Sequence, residues 1–116
     1  MPYHLYLLSD PRTLPAAPYY IGITTNPARR HREHCEQVKR TRVAQRNQEI
    51  IKAAHEPIMT VLEVVEDKID GLIREIVWIE RFRDAGVALL NREDRAWILK
   101  RMEAEYYREF KRRKPK

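Results

Sequence analysis

A chain of 116 residues with 43% hydrophobic and 34% charged side chains suits one globular domain, being too short for two and too apolar for a disordered polymer. No apolar run approaches the roughly 18 residues of a membrane span, and the first residues lack the charged-then-apolar pattern of a secretory leader. The single cysteine, Cys35, has no partner within the chain, so a reducing, cytoplasmic setting is expected.

The net charge of +6 is unevenly placed. Residues 1–91 are nearly balanced, with 13 Lys and Arg against 12 Asp and Glu, whereas residues 92–116 carry 10 against 5. Within the first part, Arg29, Arg30, Arg32, Lys39, Arg40, Arg42 and Arg46 crowd together with only Glu33 and Glu36 among them. Two basic patches of this kind point to a polyanion such as nucleic acid, or equally to a well-solvated surface.

In chain order, Tyr3–Leu8 reads as a buried strand and Tyr19–Thr24 as its antiparallel neighbour. The link from Ser9 to Pro18 holds three prolines and reads as a stiff irregular loop. Asn26-Pro27 predicts a helix start, Asn as N-cap and Pro in the first turn, and the helix puts Arg30 and His34 on one face. A second helix is expected from about Thr41 to Ala54, with Val43, Asn47, Ile50, Ile51 and Ala54 on one side. Ile58–Val65 is the third strand. A third helix from about Asp67 to Ala85 stops at Gly86. Val87–Asn91 is a short apolar link that could add an edge strand. The last helix, from about Glu93, carries an Ile98–Met102–Tyr106–Phe110 stripe and runs into the basic tail Lys111–Lys116. The order ββααβαα gives a small α/β sandwich.

Several residues stand out against this background. Glu75 lies on the apolar side of the third helix, near Leu72, Ile79 and Phe82, while Asp70, Arg74, Arg81 and Asp84 lie on the far side. A carboxylate there needs a metal ion or a salt bridge to an arginine at the core's edge. Arg30 sits one turn into a helix that opens beside Tyr20-Ile21-Gly22, and both arginine and helix N-termini favour phosphate oxygens. Tyr6 and Tyr20 fall near the centre of the hairpin, where a phenol beside positive charge could orient or deprotonate water. Gly22 would allow close backbone approach or simply ease a bend. His31, His34 and Cys35 invite a zinc reading, but no second ligand pair completes a structural site.

These residues, taken together, resemble the GIY-YIG nuclease family. The first signature is present in the degenerate form His4-Leu5-Tyr6 and the second as Tyr20-Ile21-Gly22. Ile23 to His34 is similar to the family's strand-to-helix block, with Arg30 at the catalytic arginine's position. Glu75-Ile76-Val77-Trp78-Ile79 followed by Leu90-Asn91 resembles the later block. The resemblance implies a GIY-YIG-like sandwich over residues 1–91, with a mostly antiparallel three-stranded sheet flanked by helices. Residues 92–116 would form a basic helix and tail packed on the same domain.

By the same resemblance, Glu75 would bind one Mg²⁺ or Mn²⁺, Arg30 would hold the scissile phosphate, and Tyr6 or Tyr20 would act as base. His34 would support a tyrosine or the proton transfer, and Asn91 would help hold the site. The sequence departs from the pattern at His4, where the signature has glycine, and at Ile23, where some relatives place a lysine. DNA contacts are expected from Arg29, Arg32, Lys39, Arg40, Arg42, Arg46, Lys100, Arg101, Arg108, Lys111, Arg112 and Arg113. Such phosphate contacts carry little sequence information, so a weakly specific or structure-selective endonuclease of phage or mobile-element type is implied. A silent nucleic-acid-binding module of the same fold, or a subunit targeted by a protein partner, are the alternatives. Tyr106, Tyr107 and Trp97 could stack on bases or serve as core and rim aromatics.

Overall fold

A computed structural model describes residues 1–37, 39–91 and 95–113; side chains at 95–98 and 109–113 lie outside the description. The strands are β1 (Tyr3–Asp10), β2 (Ala17–Thr24) and β3 (Ile58–Val65). The helices are α1 (Pro27–Glu36), α2 (Arg42–Lys52), α3 (Lys68–Asp84) and α4 (Arg95–Arg113). The element order is the expected ββααβαα. No described helix is long and apolar enough to cross a membrane.

The first three helices begin where local capping chemistry dictates. Asn26 accepts from the Arg29 amide with Pro27 following it, Thr41 accepts from Ala44, and Asp67 accepts from Asp70. Each side chain takes one of the amides that the first turn leaves unpaired. The third helix and β3 are locked side by side at Glu63, whose carboxylate accepts from Arg74 Nε at 2.8 Å and Trp78 Nε1 at 2.9 Å.

The sheet order is β2-β1-β3, antiparallel throughout, with β1 in the middle. A central strand covered on both faces explains why Leu5, Tyr6, Leu7 and Leu8 are all buried. Tyr6 and Leu8 join Tyr19 and Ile50 in one core cluster. Leu7 and Ile21 join Ile79 on the other face, with Trp78, Phe82 and Met102 packed against them. Two register shifts break the regular alternation. At Leu8/Ser9 the pairing skips Tyr19, so Tyr19 and Tyr20 both reach the first cluster although they are neighbours in sequence. At Leu5/Tyr6 the pairing with β3 skips Leu62, which packs instead on the second face.

Val87–Asn91 does not form the edge strand that its apolar run suggested. It still closes the β2 edge. Leu90 N–H donates to Tyr19 O at 2.7 Å, and the Asn91 side chain pairs with both backbone groups of Ile21, accepting at 2.9 Å and donating at 2.7 Å. One amide side chain thus supplies the two bonds a neighbouring strand residue would have given. In the C-terminal stripe, Met102 packs on the second core cluster while Tyr106 is 58% exposed. The side chains of Ile98 and Phe110, and that of Trp97, fall outside the described residues.

Candidate active site

Tyr6 is directly opposite Gly22 across the hairpin, and its phenol lies over the glycine. A Cβ at Gly22 would stand 2.8 Å from Tyr6 Cε1 and nearer still to Cζ and Oη, so only glycine lets the ring occupy this place. Rings of Tyr6, Tyr20 and His34 form a triangle with centroids 5.7, 5.9 and 6.2 Å apart. His34 Nε2 lies 2.8 Å from Tyr6 Oη. Helix α1 delivers both Arg30 and His34, one turn apart, to the same side of the sheet.

The hydrogen-bond chain continues inward. Tyr19 O–H donates to Asn47 Oδ1, and Asn47 Nδ2 faces His34 Nδ1 at 3.3 Å. An amide NH₂ can only donate, so His34 Nδ1 accepts and the ring proton sits on Nε2, directed at the Tyr6 oxygen. All four side chains of this chain are 4% exposed or less. Burial first, then the neighbouring Arg30 and His31 charges, pulls the His34 pKa down to about 4, so the imidazole is neutral at neutral pH. Burial pushes the Tyr6 phenol above its ordinary value, Arg30 pulls it back, and the Glu75 carboxylate adds to the rise. The same balance places Arg30 and Glu75 within electrostatic reach of one phenol.

Glu75 is 3% exposed, on the buried side of α3 with Gly71, Leu72 and Ile79, as the helical period implies. Gly71 makes room for this approach, because a Cβ there would collide with Ile23 Cδ1 on β2. Arg101 of α4 brings Nη1 to 3.4 Å from Glu75 Oε1. That arginine, expected to face nucleic acid, therefore shares the carboxylate. Beside the triangle lies a cleft of ≈ 620 Å³, lined among others by Tyr20, Arg30, His34, Lys39, Arg42 and Asn91.

Four residues far apart in sequence thus meet, Tyr6, Tyr20, Arg30 and His34, and the fifth, Glu75, acts on the Tyr6 phenol through its charge. The GIY-YIG catalytic domain family matches residues 2–91, which spans all five. The chain belongs to the GIY-YIG family. No curated protein and no solved structure gave a match. The family is one of nucleases that act on DNA and typically use a divalent metal. In this GIY-YIG domain Glu75 offers one buried carboxylate, a hard oxygen donor, and Arg101 shares one of its oxygens. That chemistry fits Mg²⁺ or Mn²⁺, ions that need few protein ligands and keep much of their water.

The remaining expected contacts divide by exposure. Arg29 and Arg32 are exposed on α1, Lys39 and Arg40 are exposed in the α1–α2 link and Arg42 at the start of α2, with Lys39 and Arg42 lining the cleft. Lys100 is exposed on α4, whereas Arg108 Nη1 lies 2.8 Å from Glu105. Arg46 is turned inward: its Nε donates to Asp10 at 2.9 Å and its guanidinium lies 5.3 Å over the Tyr19 ring. Side chains of Lys111, Arg112 and Arg113 lie outside the described residues. Asn47 and Tyr19 are the members of the site that motif reading missed. Asn47 was visible as a polar residue on the inner face of α2, a position that needs a buried partner.

Proposed function

We propose that this GIY-YIG domain is a metal-dependent endonuclease that hydrolyses DNA phosphodiester bonds with weak sequence preference. The reading is supported above all by one arrangement, a buried Tyr6 phenol held by His34 with Arg30 on the wall of the adjoining cleft. Arg30, at the cleft wall, holds a non-bridging oxygen of the scissile phosphate. Tyr6 is the base of the pair of tyrosines: its oxygen already accepts from His34 Nε2–H, so a phenolate formed there is stabilised by that donor and by Arg30. His34 is the donor that orients Tyr6 rather than a base, because Asn47 occupies its other nitrogen. Tyr20 lines the cleft and positions the attacking water. Glu75 holds one Mg²⁺ or Mn²⁺; when bound, the ion offsets charge on the leaving oxygen. Neutralising Glu75 also removes its upward push on Tyr6.

Lys39, Arg40 and Arg42, with Arg29, Arg32 and Lys100, carry the strand along by its phosphates, in a cytoplasmic setting. The test is cleavage of single-stranded, duplex and branched DNA with and without Mg²⁺, by wild type, Glu75→Gln and Arg30→Ala. Loss of cutting in both variants, with DNA binding retained, is the expected outcome. Equal activity in Glu75→Gln would overturn the metal assignment; binding without cleavage by any protein would leave a nucleic-acid-binding module.

A further inference from the structure

On the face of α1 next to the one that carries Arg30 and His34, a second set of ligands converges. His31 and Cys35 are four residues apart and share one helix face. The third member comes from the α2–β3 link. Helix α2 ends at Lys52 with Ala53 as its cap, Ala54 adopts a left-handed φ of 63°, and His55 N–H returns to Ile50 O at 3.1 Å. That reversal carries Glu56 and Pro57 back over α1, where Pro57 O accepts from His31 Nε2–H at 2.7 Å. Ligand atoms of His31, Cys35 and Glu56 all lie within 4.8 Å of one another.

We propose that His31, Cys35 and Glu56 form a second cation site, selective for Zn²⁺ or a similar borderline-soft ion, that clamps α1 to the start of β3. The donor set is one imidazole nitrogen, one thiolate sulfur and one carboxylate oxygen, which suits Zn²⁺ and not Mg²⁺. His31 Nε2 and Cys35 Sγ are 4.0 Å apart. Zinc bonds of about 2.0 Å to nitrogen and 2.3 Å to sulfur at a tetrahedral angle span about 3.5 Å. A small side-chain adjustment closes the difference. On binding, the thiol loses its proton to solvent and His31 exchanges its bond to Pro57 O for the metal, its ring proton moving to Nδ1. The thiolate and carboxylate balance the 2+ charge, and water takes the fourth position.

Neither Cys35 nor Glu56 has an ion pair among the described residues. An open depression of ≈ 480 Å³, bordered by Pro27, His31, Glu56 and Met59, gives an ion a route in. Because Arg30 and His34 adjoin His31 and Cys35 in sequence, occupancy fixes the helix that serves the cleft.

The experiment is titration of the full chain with Co²⁺ as an optical stand-in for Zn²⁺, followed by competition with Zn²⁺ and a melting curve with each. The expected result is a thiolate-to-cobalt charge-transfer band saturating at one ion per chain, abolished by Cys35→Ser and displaced by Zn²⁺. Loss of an outer-shell partner alone weakens metal sites by about 10–100-fold. His31→Ala and Glu56→Gln should therefore each weaken binding at least tenfold. The band should survive in Glu75→Gln, and the melting temperature should rise with Zn²⁺ but not in Cys35→Ser. Absence of the band, or unchanged affinity in either His31→Ala or Glu56→Gln, overturns the three-ligand site.

Discussion

Gly22→Ala puts the largest demand on the site for the smallest chemical change. The added Cβ would lie 2.8 Å from Tyr6 Cε1 and closer to Cζ and Oη. Carbon pairs rest at about 3.5–4.0 Å, so the ring or the strand must yield by roughly 1 Å. Tyr6 is 1% exposed and flanked by Tyr20 and His34, which leaves the phenol little direction in which to move. A shift of that size stretches the 2.8 Å contact with His34 beyond hydrogen-bonding range. Overpacking costs about 1–3 kcal/mol and an unsatisfied buried group about 1–3 kcal/mol, so a loss of about 2–6 kcal/mol is expected. A 1 Å misplacement at a reacting group slows catalysis by about 10²-fold. Urea denaturation followed by circular dichroism measures the first, and single-turnover cleavage the second. In a Tyr6→Leu background the stability penalty should shrink by about half or more, because the colliding atoms are gone. A Gly22→Ala protein within about 0.5 kcal/mol of wild type and cutting at the same rate would refute the close approach. An equal penalty in both backgrounds would assign the effect to the backbone instead.

Asn91→Ala strips Ile21 of both its backbone partners and should lower stability by about 2–4 kcal/mol, with Asn91→Asp intermediate; chemical denaturation checks this. Asn47→Leu removes the donor to His34 Nδ1 and the acceptor of Tyr19 O–H. Imidazole ¹⁵N shifts should then report a mixture of tautomers where wild type shows Nε2–H alone, and cleavage should slow. Asp10 is buried under hydrogen bonds from Arg12 first and then Arg46, which hold its carboxyl well below the usual carboxylate range. A depressed carboxylate pKa stabilises fully above the unfolded value of about 3.9 and less as pH falls through that range. Asp10→Asn should thus be less stable than wild type at pH 7 by about 2 kcal/mol, and the two should converge as pH is lowered toward 2 in an acid-unfolding series.

Local chemistry was enough to place most elements. Asn26-Pro27, Thr41 and Asp67 start helices because their side chains satisfy amides a few atoms away, whatever lies elsewhere. The inward face of Glu75 followed from helical period alone, and Ile58–Val65 was bounded by the sequence to the residue. Motif spacing further pointed to Tyr6, Tyr20, Arg30, His34 and Glu75 as one group. Partnerships between distant segments were not legible, because a side chain's type does not say which of several compatible groups will reach it. Arg46 could have met phosphate or Asp10, and packing of α2 against β1 decided for Asp10. Val87–Asn91 had the composition of a strand, but one amide on Asn91 satisfied Ile21 and no ladder was needed. Register shifts at Tyr19 and Leu62, which turn neighbouring residues to unexpected faces, depend on how three strands share one sheet. Glu56 reaches His31 and Cys35 only because the chain reverses at Ala54, a left-handed alanine that no local preference would choose. Sequence therefore determined the elements and the residues able to do chemistry, through interactions a few residues long. Tertiary structure decided which of them meet, because burial leaves each polar group one partner where solution would have offered many.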